Sequence, residues 1–295
     1  MIQFSGIQDA EAFNLINQTK NPPISDNTNA IWIFSARHDI NQAHVNCNVN
    51  PVNFQSLASA QSIDQCDIKD DYLRIKAGLE LGAKLTAKRA GKSVASLCPE
   101  DYELHAPWII YNGSPVQNKA FHEALQNGLS TLSLPDYAAA KVVILPLAQD
   151  KMHTGGQFDG LAEQIKVDSR LQPLEGDGAD VLCISSAFHL RRIQRLFNSK
   201  KFSCPFSPNA NITLWGIDRN FQRPCAPEDV EGELKRITRY FETGDIGEPK
   251  VEKVNWYALP SLRRWTPLQD ANKLNQVEIN NKILTPVPLT RRHSF

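Results

Sequence analysis

The segment VLCISSAFHLRRIQRLF, residues 181–197, combines residue types that could bind an anion. An apolar run leads into Ser185 and Ser186, and either hydroxyl could cap a following helix. His189 and Arg192 lie three residues apart, so a helix would place both on one face of its first turn. Because the helix dipole disfavours cations there unless an anion is present, the pattern favours a phosphate or carboxylate site. The alternative is a solvated Arg192 and a His189 that only caps or packs.

Polar residues also follow the other short apolar runs of the chain, and all of them except His38, Gln149 and Asp218 are included in the candidate site. They are Ser35, Arg37 and His38 after the first run, Asn112, Gly113 and Ser114 after the second, Gln149, Asp150, His153 and Thr154 after the third, and Asp218 after the fifth. The glycines that follow Thr154 would let backbone N–H groups approach a phosphate, although an ordinary tight loop has the same composition. Neither a Walker A sequence nor GxGxxG is present.

Five apolar runs predict the strands that position these residues. They are Ala30–Phe34, Trp108–Tyr111, Val142–Leu145, Val181–Ile184 and Ile212–Trp215. Helices are predicted at Asp70–Ala90 (closed by Gly91), 118–127, 158–166, from the two serines to about Asn198, and at Glu228–Glu242. This alternation predicts an α/β, Rossmann-like fold, a mostly parallel sheet with helices on both faces. Ligands of such sheets bind at the carboxyl ends of the strands, but the sequence does not reveal the strand order.

The chain divides by composition into three parts. Residues 1–29 are a polar N-terminal lead-in. Residues 30–249 form the α/β domain, with an irregular insertion at about 40–68. Residues 250–295 contain several prolines and predict an extended tail rather than a separate module.

Composition restricts the classes of partner. The 32 basic residues balance 32 acidic ones, so nothing indicates nucleic acid or an acidic membrane surface. We interpret RRIQR and KRITR as solvated helix faces.

The longest apolar stretch, Val142–Ala148, is too short for a membrane span, and no secretory signal pattern is found. Six cysteines without CxxC spacing indicate reduced thiols, and no histidine pair has zinc-site spacing, so we expect a cytoplasmic protein without a metal. The oligomeric state is not indicated.

The stretch SSAFHLRR resembles the S/T-x-x-H-x-x-R signature of the YdcF/SanA/ElyC-type family, a largely uncharacterised bacterial group with some eukaryotic members. Further stretches agree in order: NAIWIFSAR, DYLRIKAGLELG, APWIIYNGSPVQNKAFHEAL, VVILPLAQDKMHTGGQFDG and DVEGELKRITRYFETGDI. The resemblance covers about residues 30–247 and implies a Rossmann-like fold with a polar cleft. It adds Arg74 and Glu123 to the candidate site. Where the family usually has Glu after its loop Thr, this chain has glycines after Thr154.

The resemblance also implies a class of ligand. Soluble members of the family are thought to bind S-adenosylmethionine or a similar nucleotide-like ligand, whereas anchored members are linked to envelope upkeep. This chain is similar to the soluble, YdcF-like subtype, since the membrane anchor of the anchored members is missing from the sequence.

Three functions remain open at this point. The first is binding of a small anionic or nucleotide-like ligand, S-adenosylmethionine included, with His189, Arg192 and a serine at its acidic group. The second is a hydrolase or transferase for a phosphorylated or glycosyl substrate, with His189 as acid or base and Glu123 or Asp150 as its partner. The third is a protein-interaction factor with a degenerate cleft, which would use the insertion and the tail.

Overall fold

The structure is a computed structural model that describes residue 9 and residues 24–35, 63–146, 153–217 and 227–247, with the side chains of 63–70, 116, 131 and 227–229 left aside. The chain divides into two compact units, Met1–Trp265 and Thr266–Phe295. All described residues belong to the first unit. Arg37, Asp150, the predicted tail and most of the predicted insertion lie outside the described residues.

Five strands form one parallel sheet in the order β3-β2-β1-β4-β5. The strands are β1 (Ala30–Phe34), β2 (Trp108–Asn112), β3 (Val142–Ile144), β4 (Asp180–Ser186) and β5 (Asn211–Ile217). This order confirms the predicted Rossmann-like α/β class. The chain builds β2 and β3 on one side of β1 and then crosses to β4 on the other side. The topological switch point therefore lies between β1 and β4, where ligands of open α/β sheets bind.

Six α-helices of the described residues cover both faces of this sheet. They are α1 (Ile63–Ala90), α2 (Pro99–His105), α3 (Pro115–Gly128), α4 (Thr154–Val167), α5 (Leu190–Leu196) and α6 (Pro227–Glu242). Successive residues of a strand face opposite sides. Accordingly, Ile31 and Ile33 of β1 pack with α1, α2 and α3, whereas Trp32 and Phe34 pack with α4, α5 and α6.

The helices differ from the prediction in several places. Helix α4 begins at Thr154, so the predicted glycine loop that follows Thr154 is the first turn of a helix. Helix α1 begins at Ile63, so residues 63–68 of the predicted irregular insertion are helical. Helix α2 was not predicted, although Pro99 and two acidic residues in its first turn are a start signal. Helix α5 follows a 3₁₀ turn over Ala187–His189 and ends at Leu196, so it is shorter than expected.

The interpretation of RRIQR as a solvated face is wrong. All seven residues of α5 are buried, its three arginines included. By contrast, Lys235 and Arg239 in KRITR on α6 are exposed. None of the helices in the described ranges is long and apolar enough to cross a membrane.

Candidate functional site

The predicted site residues around the ends of β1 and β4 converge at the topological switch point. In the sheet register, Ile33 of β1 lies beside Ile184 of β4, so the following Ser35 and Ser186 lie at the same level. The 3₁₀ turn after β4 brings His189 to this edge. All the members of this cluster are less than one-tenth exposed: Ser35, Arg74, Thr154, Ser185, Ser186, His189 and Arg192.

His189 is held by a hydroxyl on each of its ring nitrogens. Its Nδ1 lies 3.0 Å from Ser185 Oγ, and its Nε2 lies 3.2 Å from Thr154 Oγ1. Thr154 Oγ1 also accepts a hydrogen bond of 3.0 Å from Arg192 Nη1. Because each hydroxyl can donate or accept, both neutral tautomers of the imidazole satisfy this network.

The surroundings keep His189 uncharged. Burial is the main cause that lowers its pKa well below the ordinary value, and the positive charges of Arg192, Arg74 and Arg236 lower it further. A neutral imidazole retains one lone pair, so it can accept a proton or a hydrogen bond. The charges that lower the pKa of His189 thus belong to arginines. Together these arginines make a positive electrostatic field at the switch point.

Arg192 is bound by Glu233, a residue that the sequence did not single out. Arg192 Nε and Nη2 donate to the two carboxylate oxygens of Glu233 at 2.9 Å and 3.2 Å, and Arg236 donates to one of them at 2.6 Å. Burial lowers the pKa of Arg192, but the Glu233 carboxylate more than offsets this and the net shift is upward. The Nε and Nη2 donors of Arg192, which could otherwise bind an anionic ligand, therefore bind a carboxylate of the chain itself. The available signal was the spacing of Glu233 between Val230 and Ile237, which places it on the apolar face of α6.

Arg74 bridges the two strands that flank the switch point. Its Nη1 donates to the carbonyl oxygen of Phe34 at 2.8 Å, and its Nη2 donates to Ser186 Oγ at 2.6 Å. Among the described residues, its nearest carboxylate oxygen is that of Asp71, 3.9 Å away. The Nε atom of Arg74 is buried and has no hydrogen-bond partner among the described residues. Arg74 thus places a guanidinium between the ends of β1 and β4.

Asp71 links Arg74 to the residues that follow β2. Its Oδ2 accepts hydrogen bonds from Tyr111 Oη at 3.1 Å and from Gln117 Nε2 at 2.6 Å. Burial, followed by the Asp71 charge, raises the pKa of the Tyr111 hydroxyl well above its ordinary value. Ser114 is the N-cap of α3 and accepts a hydrogen bond from the backbone N–H of Gln117 at 3.3 Å. Ser114 therefore has a structural role within this network.

Asn112 and Gly113 are also engaged within the protein. Asn112 accepts a hydrogen bond from Trp32 Nε1 at 3.1 Å and donates to the carbonyl oxygen of Gln157 at 2.8 Å. The N–H of Gly113 donates to Asn118 Oδ1 at 2.9 Å. A Cβ at Gly113 would lie 2.6 Å from the Tyr111 hydroxyl, so this close approach requires glycine. These hydrogen bonds stabilise the carboxyl end of β2, beside the switch point.

His153 and Glu123 lie apart from the buried cluster. His153 is exposed, and as the N-cap of α4 its Nδ1 accepts a hydrogen bond of 3.0 Å from the N–H of Gly156. Glu123 pairs with Lys119 at 3.8 Å on α3. It lies eight residues beyond the first residue of α3, about 12 Å along the helix axis. The structure therefore joins His189 to Ser185 and Thr154, and it gives Glu123 a partner on its own helix.

The cluster suits an anion better than a cation. Three guanidinium groups, those of Arg74, Arg192 and Arg236, face two carboxylates, those of Asp71 and Glu233, in the described part of the site. The guanidinium groups thus outnumber the carboxylates by one; those of Arg74 and Arg192 are buried, whereas the Arg236 side chain is 39% exposed. Comparisons with protein-family models, with curated proteins and with solved structures find no match to this chain.

Proposed function

We propose that this protein binds a small anionic or nucleotide-like ligand at the switch point between β1 and β4. The supporting observation is the positive field around His189, which comes from Arg74, Arg192 and Arg236. Arg74 carries the buried part of this field that is least balanced, because its contact with Asp71 is 3.9 Å long and its Nε has no hydrogen-bond partner among the described residues. Such a buried charge is costly unless a further negative charge balances it. An anionic group of a ligand supplies that charge.

Within this proposal, Arg74 is the main anion holder. Its guanidinium lies between the ends of two strands, and its Ser186 contact can be exchanged for a ligand oxygen. Arg192 acts less directly. Its Nε and Nη2 donate to Glu233, and its Nη1 donates to the Thr154 hydroxyl, which in turn contacts His189. Ser185 and Ser186 supply hydroxyl groups that can turn toward a ligand.

The same field distinguishes among the ligands that the family resemblance implies. S-adenosylmethionine has a carboxylate, but it also has an ammonium and a sulfonium charge. Three arginines would attract the first and repel the other two. A ligand with a phosphate or a lone carboxylate therefore fits better, and a nucleoside monophosphate is the simplest nucleotide-like example.

The YdcF-like assignment belongs to this proposal. Of the residues that carry the resemblance, Ser185, Ser186, His189, Arg192 and Arg74 belong to the buried cluster, whereas Glu123 lies apart from it. A cytoplasmic location without a nucleic-acid partner is likewise proposed, on the balanced charge of the chain. The alternative of a protein-interaction factor stays a prediction, because the insertion to residue 62 and the tail lie outside the described residues.

Thermal denaturation with a ligand panel tests the proposal. The panel contains adenosine monophosphate, glucose 6-phosphate and S-adenosylmethionine, each added to wild type, Arg74→Gln and the surface control Arg170→Gln. A ligand at a hundred times its Kd adds about 2.7 kcal/mol, so Tm should rise by several degrees in wild type. A charge-assisted contact is worth about 1.5–3 kcal/mol, so Arg74→Gln should weaken binding at least tenfold. Arg170 pairs with Asp168 on the surface, and its variant should keep the full shift.

Two outcomes would contradict the proposal. One is the absence of a shift in wild type with every member of the panel. The other is an equal shift in Arg74→Gln and wild type, which would place the ligand elsewhere. Each variant is compared with its own ligand-free Tm, so a general loss of stability does not imitate a loss of binding.

A second candidate function is a hydrolase or transferase. The supporting observation is the 3.0 Å contact between Ser185 Oγ and His189 Nδ1, since an imidazole within hydrogen-bond reach of a hydroxyl has the geometry of a general base. The lowered pKa of His189 makes it a weaker base than an ordinary histidine. The same panel separates the two functions. Turnover of glucose 6-phosphate that is lost in His189→Gln, while its Tm shift survives, would select the enzyme.

A further inference from the structure

The buried cluster at the switch point is divided between the two faces of the sheet. Consecutive residues of a strand face opposite sides, so Ser185 and Ser186 at the end of β4 belong to different halves of the cluster. Ser185 contacts His189 at 3.0 Å on the face that α4, α5 and α6 cover. Ser186 contacts Arg74 of α1 at 2.6 Å on the other face. We call these two parts the His189 half and the Arg74 half.

The His189 half is complete in its hydrogen bonds. Each ring nitrogen of His189 contacts a hydroxyl group. The three guanidinium nitrogens of Arg192 all donate, two to Glu233 and one to Thr154. In this half, none of these side chains has a buried polar atom without a partner. The His189 half therefore leaves no buried donor for a ligand.

The Arg74 half contains two buried donors without acceptors. Arg74 Nε and Trp215 Nε1 have no hydrogen-bond partner among the described residues. Trp215 lies on β5 beside Ile184 of β4, and its side chain packs on the same face of the sheet as α1. By contrast, the indole N–H of Trp32 on the other face donates to Asn112 at 3.1 Å. Buried donors without acceptors are rare in proteins and cost stability, so this half calls for an acceptor.

The two edges of the Arg74 guanidinium differ in their partners. Nη1 donates to the carbonyl oxygen of Phe34 on β1, and the nearest described carboxylate, that of Asp71, lies 3.9 Å from this same nitrogen. Nε and Nη2 share the other edge of a guanidinium, the fork that binds carboxylates and phosphates. In Arg74 this fork has only the Ser186 hydroxyl, at Nη2. The fork therefore faces β4, the strand that borders β5.

The Asp71 carboxylate is turned toward the opposite side of the sheet. Its Oδ2 accepts hydrogen bonds from Tyr111 of β2 and Gln117 of α3. In the strand order, β2 and β5 lie on opposite sides of the pair β1 and β4. An anion between the Arg74 fork and β5 would thus meet donors, and Asp71 would lie beyond the guanidinium.

Trp215 is close enough to share such an anion with Arg74. Its register partner Ile184 lies two residues before Ser186, so the Cα atoms of Trp215 and Ser186 are about 8 Å apart on one face. A carboxylate has two oxygens, and the Arg74 fork uses both. A phosphate group has a third terminal oxygen, which can accept from the Trp215 N–H. The two donors together therefore favour a phosphate over a carboxylate.

We propose that Trp215 is a specificity-determining residue: its Nε1–H donates a hydrogen bond to a phosphate group that Arg74 binds through Nε and Nη2. The ligand class is then a phosphate monoester, rather than a compound whose only anionic group is a carboxylate. The inference rests on the proposed function in one respect, namely that Arg74 holds the anionic group. Its readout is the Trp215 N–H itself, so its failure is distinguishable from a failure of anion binding at Arg74.

Nuclear magnetic resonance of the indole N–H groups tests the proposal. The chain has five tryptophans, and triple-resonance spectra of the wild type assign their signals without a variant. The probes are inorganic phosphate and malonate, a dicarboxylate of similar charge. We expect the Trp215 signal to move downfield and to saturate at about one tenth of the malonate concentration, because one more charge-assisted bond corresponds to about tenfold in affinity. The Trp32 signal is the internal reference, because its N–H already has an acceptor in Asn112.

Three variants assign the effect to its residues. Arg74→Gln should abolish the movement of the Trp215 signal, because the fork is lost. Trp215→Phe retains an aromatic ring but has no N–H, so calorimetry should show a Kd for phosphate about ten times that of wild type and an unchanged Kd for malonate. Trp108→Phe is the matched control, because Trp108 is the first residue of β2, at the amino end of the sheet. Its affinity for phosphate should equal that of wild type.

The outcomes separate this inference from the proposed function. If calorimetry detects phosphate binding that Arg74→Gln weakens, while the Trp215 signal stays in place, the inference is wrong and the proposed function stands. Equal movement of the Trp32 and Trp215 signals would indicate a general salt effect and would overturn the inference. Equal affinities for phosphate and malonate would overturn it as well. A wild type that does not bind phosphate would contradict both proposals, and the two donors would then serve at most a water molecule.

Discussion

The chemistry of His189 depends on residues that are distant in sequence. Its neighbour in the motif, Arg192, was expected to share an anion with it. In the structure, Thr154 lies between the two, and it contacts the imidazole at 3.2 Å and the guanidinium at 3.0 Å. Three arginines then act on the imidazole together with burial. The result is a neutral imidazole surrounded by positive charges.

This environment predicts a pH dependence of stability. The pKa of His189 is far below its ordinary value of 6.5 in the folded chain, so only the unfolded chain takes up this proton as the pH falls below about 6.5. The free energy of unfolding should therefore decrease below pH 6.5, by up to about 1.4 kcal/mol per pH unit from this residue. Urea unfolding at pH 7.5, 6.5 and 5.5 measures the slope.

Two substitutions assign the slope to its residue. His189→Gln should remove this part of the pH dependence, because glutamine does not titrate. His122→Gln, at an exposed position of α3, should leave the slope unchanged. The assignment would be wrong if His189→Gln and wild type lost the same free energy between pH 6.5 and 5.5.

At the scale of elements, α6 supports the site through one buried carboxylate. Glu233 is fully buried, and it receives hydrogen bonds from Arg192 and Arg236. The aromatic ring of Tyr240, two turns later on α6, lies 5.3 Å from the Arg192 guanidinium carbon. Helix α6 is therefore part of the site, although it contributes no residue to the predicted ligand-binding set.

Substitution of Glu233 by Gln should be strongly destabilising. The change leaves two guanidinium groups without their carboxylate, and breaking a buried pair in this way costs about 3–5 kcal/mol. Glu231→Gln is the matched control on the same helix, because Glu231 pairs with Lys235 at the surface and exposed pairs contribute at most about 1 kcal/mol. Urea denaturation of both variants gives the difference. A Glu233→Gln variant no less stable than Glu231→Gln would remove Glu233 from the supporting network.

At the scale of the whole molecule, the end of the α/β domain docks onto α5. Arg195 Nε donates to the carbonyl oxygen of Gly247 at 3.0 Å, and the N–H of Gly247 donates to the carbonyl oxygen of Arg195 at 3.2 Å. A Cβ at Gly247 would lie 2.0 Å from the carbonyl oxygen of Asn198. Helix α5 is thus held by the sheet, by the ion pairs of Arg191 and Arg195 with Asp9 and by the segment that follows α6.

Glycine substitutions test this docking. Gly247→Ala should lower the free energy of unfolding by about 1–3 kcal/mol, because the clash involves a backbone atom that cannot turn away. Gly232→Ala in α6 is the control: no atom lies within 4 Å of its added Cβ, and alanine in a helix is about 1 kcal/mol better than glycine. The two variants should therefore change stability in opposite directions, as measured by thermal or urea unfolding. Equal and small effects would mean that Gly247 is not packed against α5.

The sequence by itself determined the fold class and most of the elements. Strand β1 runs over the predicted residues Ala30–Phe34, because its five apolar residues are all buried in the sheet. Helix α1 ends at Ala90 as expected, since Gly91 takes the left-handed conformation with φ 66° that often terminates a helix. These signals are local, so a single sequence contains them. The motif around His189 was likewise visible, because its members are neighbours in the chain.

Only the tertiary structure decided which residues complete the site. Glu233 is 41 residues from Arg192, and Asp9 is 186 residues from Arg195. A local pattern can place Glu233 on the apolar face of α6, but it cannot name the distant cation that pairs with such a carboxylate. RRIQR has the composition of an exposed helix face, yet α5 is buried because Asp9 and α6 bring charges to it. The strand order, which places Arg74 beside Ser186, also follows from packing of helices on both faces of the sheet. Burial, together with arginines that the fold brings near the imidazole, thus sets the pKa of His189.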